Sequence, residues 1–190
     1  MDLALFNKEV MIEEMKKRKD CYVWDGICAV PRDVGYVIIM PGVTEIGKGA
    51  FENCVHMTKV DIPDSVTTIG KAAFQNCTSL KKVEIPSSVM EIDKDTFSFC
   101  DSLADVHIPE GITVIGRGAF SNCNSLVTLT VPSSVTLIGT YAFAFCKRLE
   151  NCNILATSPG MCEDLFKDCP ALNRVVVPGS NYDSNNYKWC

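Results

Sequence analysis

Residues 69–92 read IGKAAFQNCTSLKKVEIPSSVMEI, and most of that stretch returns at a fixed interval before and after it. Phe51, Phe74, Phe97, Phe120, Phe143 and Phe166 stand 23 residues apart, and so do Cys54, Cys77, Cys100, Cys123, Cys146 and Cys169. A period in the twenties that holds its register without insertions marks a solenoid, in which each unit leaves an apolar face for the next to cover. Within one unit, the alternation over residues 80–85 sends Val83 and Ile85 inward and Lys82 and Glu84 outward. That predicts a short strand with one wet face.

The other recurring residues read as punctuation. Pro63, Pro86, Pro109 and Pro132 follow the strands, where a missing donor and a fixed φ end the ladder. Val89 and Ile92 then return to the core. Gly70, Gly116 and Gly139, with Asp93 in the equivalent place, suit sharp turns through positive φ. The segment Ala73-Phe74-x-x-Cys77 is too short for a full helix and predicts one helical or 3₁₀ turn that drops Phe74 and Cys77 inside. The expected fold class is therefore a β-rich repeat solenoid with short helical or 3₁₀ turns and one strand per repeat.

Four segments follow from this reading. Residues 1–20 have helix-forming composition, with Leu3, Phe6, Val10, Met11 and Met15 on one broad face, and predict an N-terminal helix over the open end of the stack. Residues 21–35 predict a capping hairpin that turns at Asp25-Gly26. Residues 36–178 form the six-turn solenoid. Residues 179–190 predict a C-terminal cap, in which Tyr182, Tyr187 and Trp189 close the far end of the core.

Composition excludes several functional classes. A formal charge of -5 and a pI near 5.0 oppose binding to phosphate backbones, which needs clustered Lys and Arg. The one basic run, 16–19, is flanked by Glu13, Glu14 and Asp20 and reads as a solvated helical face. No run of 18 apolar residues occurs and no signal-peptide pattern opens the chain, so membrane insertion is not expected, and a cytoplasmic setting is the expectation only if the chain as given is full length.

The 11 cysteines sort by repeat position. Six occupy one rung, where equivalent side chains point the same way into the core, and these read as reduced packing thiols. Cys21, Cys28, Cys152, Cys162 and Cys190 lie nearer the two ends, where a bridge stays open as an alternative.

The composite L-x-x-V-x-I-P-x-x-V-x-x-I-G-x-x-A-F-x-x-C, read over 80–100 or 126–146, resembles the BspA-like leucine-rich repeat family. The ending LATSPGMCEDLFKDCPALNRVVVPGSNYDSNNYKW is similar to that family's terminal unit. The resemblance implies a curved leucine-rich-repeat right-handed superhelix with its strands on the concave side. It also implies a surface or secreted setting, with adhesion to host or microbial proteins as the role.

Little else in the chain points to chemistry. His56 and His107 fall on exposed positions with no nucleophile in register, so both read as surface residues. Cys146, Cys152, Cys162 and Cys169 contain no C-x-x-C, and no metal or cofactor is expected. No phosphate-cradling glycine motif appears. Asn76-Cys77-Thr78 matches a glycosylation sequon, but its middle residue belongs to the core. What remains is the outward ladder of the strands: Tyr36, Ile38, Lys59, Asp61, Lys82, Glu84, Asp105, His107, Thr128, Thr130, Asn151, Asn153, Arg174 and Val176. These vary from turn to turn while the core positions repeat, and Tyr36 and Ile38 read as exposed apolar groups that mark contact at the N-terminal end. The expected function is a non-enzymatic protein-binding or adhesion module of a host-associated microbe that uses this concave face. The alternative is an intracellular structural or assembly scaffold built on the same repeat.

Overall fold

The computed structural model of the chain describes residues 21–157 and 159–178. The expected N-terminal helix and C-terminal cap, with Cys190, lie outside the described residues. Among the described residues fourteen strands, numbered in chain order, run in two rows. The main row holds β1 (Tyr22–Trp24), β2 (Tyr36–Ile39), β4 (Lys59–Asp61), β6 (Lys82–Glu84), β8 (Asp105–His107), β10 (Thr128–Val131), β12 (Asn151–Ile154) and β14 (Arg174–Val176). A second row of two-residue strands holds β3 (Glu45–Ile46), β5 (Thr68–Ile69), β7 (Glu91–Ile92), β9 (Val114–Ile115), β11 (Leu137–Ile138) and β13 (Gly160–Met161). Every pairing is parallel, and from β2 onward the partners are 23 residues apart, as in Val37↔Val60, Val83↔Val106 and Leu129↔Cys152. The fold is thus a parallel β-solenoid of about six turns.

The expected hairpin is replaced by a different pairing. Asp25-Gly26 does turn the chain: Gly26 has φ +88, and Asp25 Oδ1 accepts from Ile27 N–H (2.9 Å) and Cys28 N–H (3.1 Å). Yet β1 pairs in parallel with β2, Trp24 facing Ile39. The reason is the aromatic core. In this register Trp24 is buried edge-on to Phe51, with ring centroids 4.9 Å apart and the planes at 69°, and its indole N–H donates to Cys28 O at 2.8 Å.

From Phe51 the phenylalanines form a continuous stack. Centroids of successive rings lie 5.0, 5.2, 5.4, 5.9 and 5.7 Å apart, with interplanar angles of 22° or less. Parallel strands about 4.8 Å apart set this spacing, and each ring pair adds about 0.5–1.5 kcal/mol beyond the area it buries.

The segment read as a helical turn forms no helix among the described residues. Ala73, Gln75 and Cys77 N–H do close i to i−3 bonds onto Gly70, Ala72 and Phe74 O, at 3.1, 3.1 and 3.3 Å. The alternate donors, Ala72, Phe74 and Asn76 N–H, instead reach Lys94, Thr96 and Ser98 O in the next turn, at 3.0, 2.9 and 2.8 Å. Half of the donors therefore face the neighbouring turn, which a helix forbids. Left-handed residues make this possible at two positions per turn, such as Ala72 (φ 56) and Asn76 (φ 59). Asn, Asp or Gly occupies most of these places, including Gly49, Asn53, Asp95, Gly118, Asn122, Asp164 and Asp168, because such residues adopt αL at least cost.

Gly70, Gly116 and Gly139 serve close approach instead of positive φ. A Cβ there would stand 2.9, 2.7 and 2.6 Å from the backbone nitrogens of Lys48, Lys94 and Arg117. Their own N–H groups donate to Ile46, Ile92 and Ile115 O at 2.8, 2.7 and 2.8 Å.

The thiol rung explains why the sequence repeats cysteine. Cys77, Cys100, Cys123, Cys146 and Cys169 Sγ each donate to the carbonyl of the rung phenylalanine in the preceding turn, at 3.2, 3.3, 3.4, 3.2 and 3.1 Å. Alanine would leave that carbonyl's second lone pair unused. Every cysteine of the rung is a free thiol. Cys152, grouped by sequence with the terminal cysteines, is fully buried in β12 between Leu129 and Val175 and belongs to the core.

Two predictions follow from this packing. Phe99 is 46% exposed and is held at φ 59, a conformation that costs a bulky residue about 1–2 kcal/mol. Phe99→Asn, which copies Asn53, Asn76 and Asn122, should raise stability by about 1 kcal/mol and Tm by about 2–4 °C in a thermal melt. Burial pushes the Cys77 and Cys123 thiols up, and that of Cys100 to about 12. An unfolded thiol ionises near pH 8.5, so each raised group stabilises the fold fully below that pH and loses its contribution as pH climbs toward the folded value. Urea unfolding under reducing conditions should show a fall between pH 7 and pH 10 of about 2 kcal/mol for each of these three raised thiols. Cys100→Ala should shrink that fall by one such increment.

Candidate functional site

The fourteen outward positions fall in two files along the main row. One file runs Tyr36, Lys59, then Lys82, Asp105, then Thr128, Asn151, Arg174; the other runs Ile38, Asp61, then Glu84, His107, then Thr130, Asn153, Val176. Strand alternation places them there while Val37, Val60, Val83, Leu129, Cys152 and Val175 enter the core. Lys59, Lys82, Glu84, Asp105, His107, Thr128, Thr130, Asn153 and Arg174 are exposed; Tyr36, Asp61, Asn151 and Val176 are half-buried.

Ile38 departs from expectation, with 5% exposure. The added strand β1 accounts for this, since Val23 lies beside Ile38 on one side and Asp61 on the other. Ile38 is therefore not an exposed apolar contact group.

Charge divides the face into zones. At the N-terminal end Tyr36 O–H donates to Asp61 Oδ2, and Lys59 Nζ sits 3.0 Å from Asp61 Oδ1 and 3.2 Å from Tyr36 Oη. Partial burial, followed by the neighbouring Asp61, raises the Tyr36 hydroxyl above its ordinary value, while the bond to Asp61 raises Lys59. In the next zone Lys82 Nζ bridges Glu84 Oε1 (3.0 Å) and Asp105 Oδ2 (3.1 Å), and these two carboxylates, Glu84 first, hold its ammonium above the usual range. Beyond β8 the face turns to hydroxyls and amides until Arg174. Such exposed ion pairs are screened by solvent and contribute little to folding. The fold has little need of them.

The row is not continuous. Its hydrogen-bonded sheets are β1-β2-β4, β6-β8 and β10-β12-β14, so among the described residues seams separate β4 from β6 and β8 from β10. The second row parts between β5 and β7, where Asp93 stands in the glycine position with its carboxylate on Lys94 N–H (2.5 Å). Each main-row seam opens a cavity. One, of about 740 Å³, is lined by Lys59, Asp61, Lys82 and Glu84 among others. The other, of about 430 Å³, lies between β8 and β10 and includes Asp105, Val106, His107, Thr128, Thr130 and Leu155. The variable ladder was readable in the sequence, whereas the seams were not; the one local signal was Leu155 standing where earlier turns carry proline. A further cavity of about 790 Å³ lies at the last turn around Cys162, Leu165, Phe166, Cys169 and Leu172.

Among the described residues no group of three or more His, Cys, Asp or Glu side chains could hold a metal ion. No helix among them is long and apolar enough to cross a membrane.

A stack of parallel strands with an unbroken 23-residue period and an L-x-x-V-x-I strand motif defines a leucine-rich repeat protein. Residues 44–173 match the BspA type leucine-rich repeat region in six copies, and the chain belongs to that family. Among solved structures it is similar to a T. pallidum leucine-rich repeat protein, at 32% identity and a TM-score of 0.69 over 83% of this chain and 74% of that one. It is also similar to a leucine-rich repeat protein from Bacteroides ovatus ATCC 8483, at 34% identity and a TM-score of 0.65. That alignment spans 74% of this chain and 39% of the Bacteroides protein. No protein of curated function matches the chain.

Proposed function

We propose that the chain is a non-enzymatic protein-binding module whose main strand face engages its partner, with adhesion to a host or microbial surface protein as the setting. One observation carries this reading. Outward residues in strict 23-residue register differ in charge and size from turn to turn, while the inward residues beside them repeat. Parallel pairing and the aromatic stack fix the backbone under these side chains, so their positions are set before a partner arrives. Pre-organisation of this kind lowers the ordering cost of association. Membership of a leucine-rich repeat family supports the same reading, since proteins of this class typically mediate protein interactions.

Lys82, Glu84 and Asp105 form the centre of the charged zone and are exposed, so reversing them leaves the core untouched. A panel of Lys82→Glu, Glu84→Lys and Asp105→Lys should reduce capture of partners from host and microbial surface extracts at least tenfold, with Tm unchanged. Capture at the wild-type level by the whole panel overturns the strand-face assignment.

A further inference from the structure

The seam between β8 and β10 is a feature that the repeat does not require. At three bonded junctions of this row one carbonyl takes two successive amides from the next turn, and at the β2–β4 junction Gly35 O takes one, Thr58 N–H at 2.7 Å. Lys81 O accepts from Ala104 and Asp105 N–H (3.0 and 3.3 Å), Val127 O from Glu150 and Asn151 N–H (2.8 and 3.2 Å), and Glu150 O from Asn173 and Arg174 N–H (2.9 and 3.1 Å). Ala104 O holds the equivalent place and takes neither Val127 N–H nor Thr128 N–H. The same junction leaves Asn124 Oδ1 buried without a hydrogen-bond partner among the described residues, although its amide donates to Asp101 Oδ1 at 2.6 Å. Among the described residues one backbone acceptor and two donors thus have no backbone partner where the turns part, and, like the edge of a sheet, they are open to a further chain.

The surroundings indicate what such a partner is. Val106 is half-buried, whereas Val37, Val60, Val83, Leu129, Cys152 and Val175 in the same file are buried, so the cleft of about 430 Å³ reaches the edge of the core. Leu155 adds an apolar rim, 46% exposed. Asp105, whose Oδ2 also holds Lys82 from outside the cleft, and Glu110 border it, and no lysine or arginine is among its lining residues. A carbonyl on one side and two amides on the other, an apolar floor and a negative rim match an extended chain in the manner of strand addition.

We infer that the β8–β10 cleft takes an extended peptide segment of a protein partner, carrying an aliphatic side chain flanked by lysine or arginine. The inference rests on the strand-face reading and names the chemistry recognised there. The segment's N–H donates to Ala104 O, its C=O accepts from Thr128 N–H, and its aliphatic side chain lies on Val106 and Leu155.

Fluorescence polarisation with labelled acetyl-Lys-Val-Lys-Val-Lys-amide, against the Glu-Val-Glu-Val-Glu counterpart, tests this on the full chain. The basic peptide should bind at least tenfold more tightly than the acidic one. Thr130→Trp, which fills the cleft, and Leu155→Lys, at an exposed position that leaves folding intact, should each weaken binding at least tenfold. By amide exchange, Val127 and Thr128 should exchange at least tenfold faster than Glu150 and Asn151 in the free protein, and should slow when the peptide is added. Protection of both amides in the free protein overturns the inference, as does absent binding or binding that both variants leave unchanged. Loss of capture in the charge-reversal panel with peptide binding unchanged in the cleft variants overturns the cleft and leaves the strand-face reading standing. Cleft-dependent peptide binding with capture untouched by the panel does the reverse.

Discussion

Each of the five turns from Phe51 to Phe143 gives alternate backbone donors of its Phe-containing segment to the turn after it. Ala72, Phe74 and Asn76 N–H leave their own turn for Lys94, Thr96 and Ser98 O, while the donors between them close the local bends. No turn can satisfy its own backbone, and none can bury its own phenylalanine. Stacking is therefore a condition of folding for every unit, as expected for an array whose stability lies in its interfaces. The 23-residue interval follows directly, since an insertion in one turn would misalign carbonyls, thiols and rings at once.

The same constraint selects residue types. Two left-handed positions per turn favour Asn, Asp and Gly, and the thiol-to-carbonyl bonds favour Cys over Ala at a site too tight for a larger side chain. Ala72, Phe99, Tyr141 and Phe145 break the first preference. Tyr141 and Phe145 offset part of the cost by stacking at 6.3 Å on the outside of the turn, with Lys167 Nζ 5.5 Å from the Tyr141 ring. Phe99 has no such ring partner among the described residues.

How legible the fold was in the sequence depended on how local each cause is. Strand alternation and the Phe and Cys rungs are period effects, visible in letters alone, and the structure places them as read. The turn over 70–77 looked helical because its apolar spacing fits a helical bend. Its true conformation is decided by the neighbouring turn, which accepts the alternate donors. Gly70 was read as a residue of positive φ, yet its missing Cβ makes room for Lys48 N of the turn before. The hairpin over 21–35 and the exposure of Ile38 were misjudged for one shared reason: β1 joins the stack 15 residues before its partner, outside the period on which the reading relied. At the candidate site the outward ladder was legible, and its division into three sheets was not, because a seam is a relation between turns that no single turn encodes.

Rigidity and recognition are linked through those seams. A perfect ladder would present side chains alone, since every backbone group of the main row would be engaged with a neighbour. Where β8 and β10 part, the face offers backbone groups as well, together with a core valine that the other turns conceal. The cost falls on a few hydrogen bonds, each worth about 0.5–1.5 kcal/mol net. The aromatic stack runs past the opening without a break, with Phe97 and Phe120 at 5.4 Å and Phe120 and Phe143 at 5.9 Å. A solenoid held together by its interior can in this way loosen one strip of its surface without loosening the whole, and the strip that is loosened is the one that carries the variable residues.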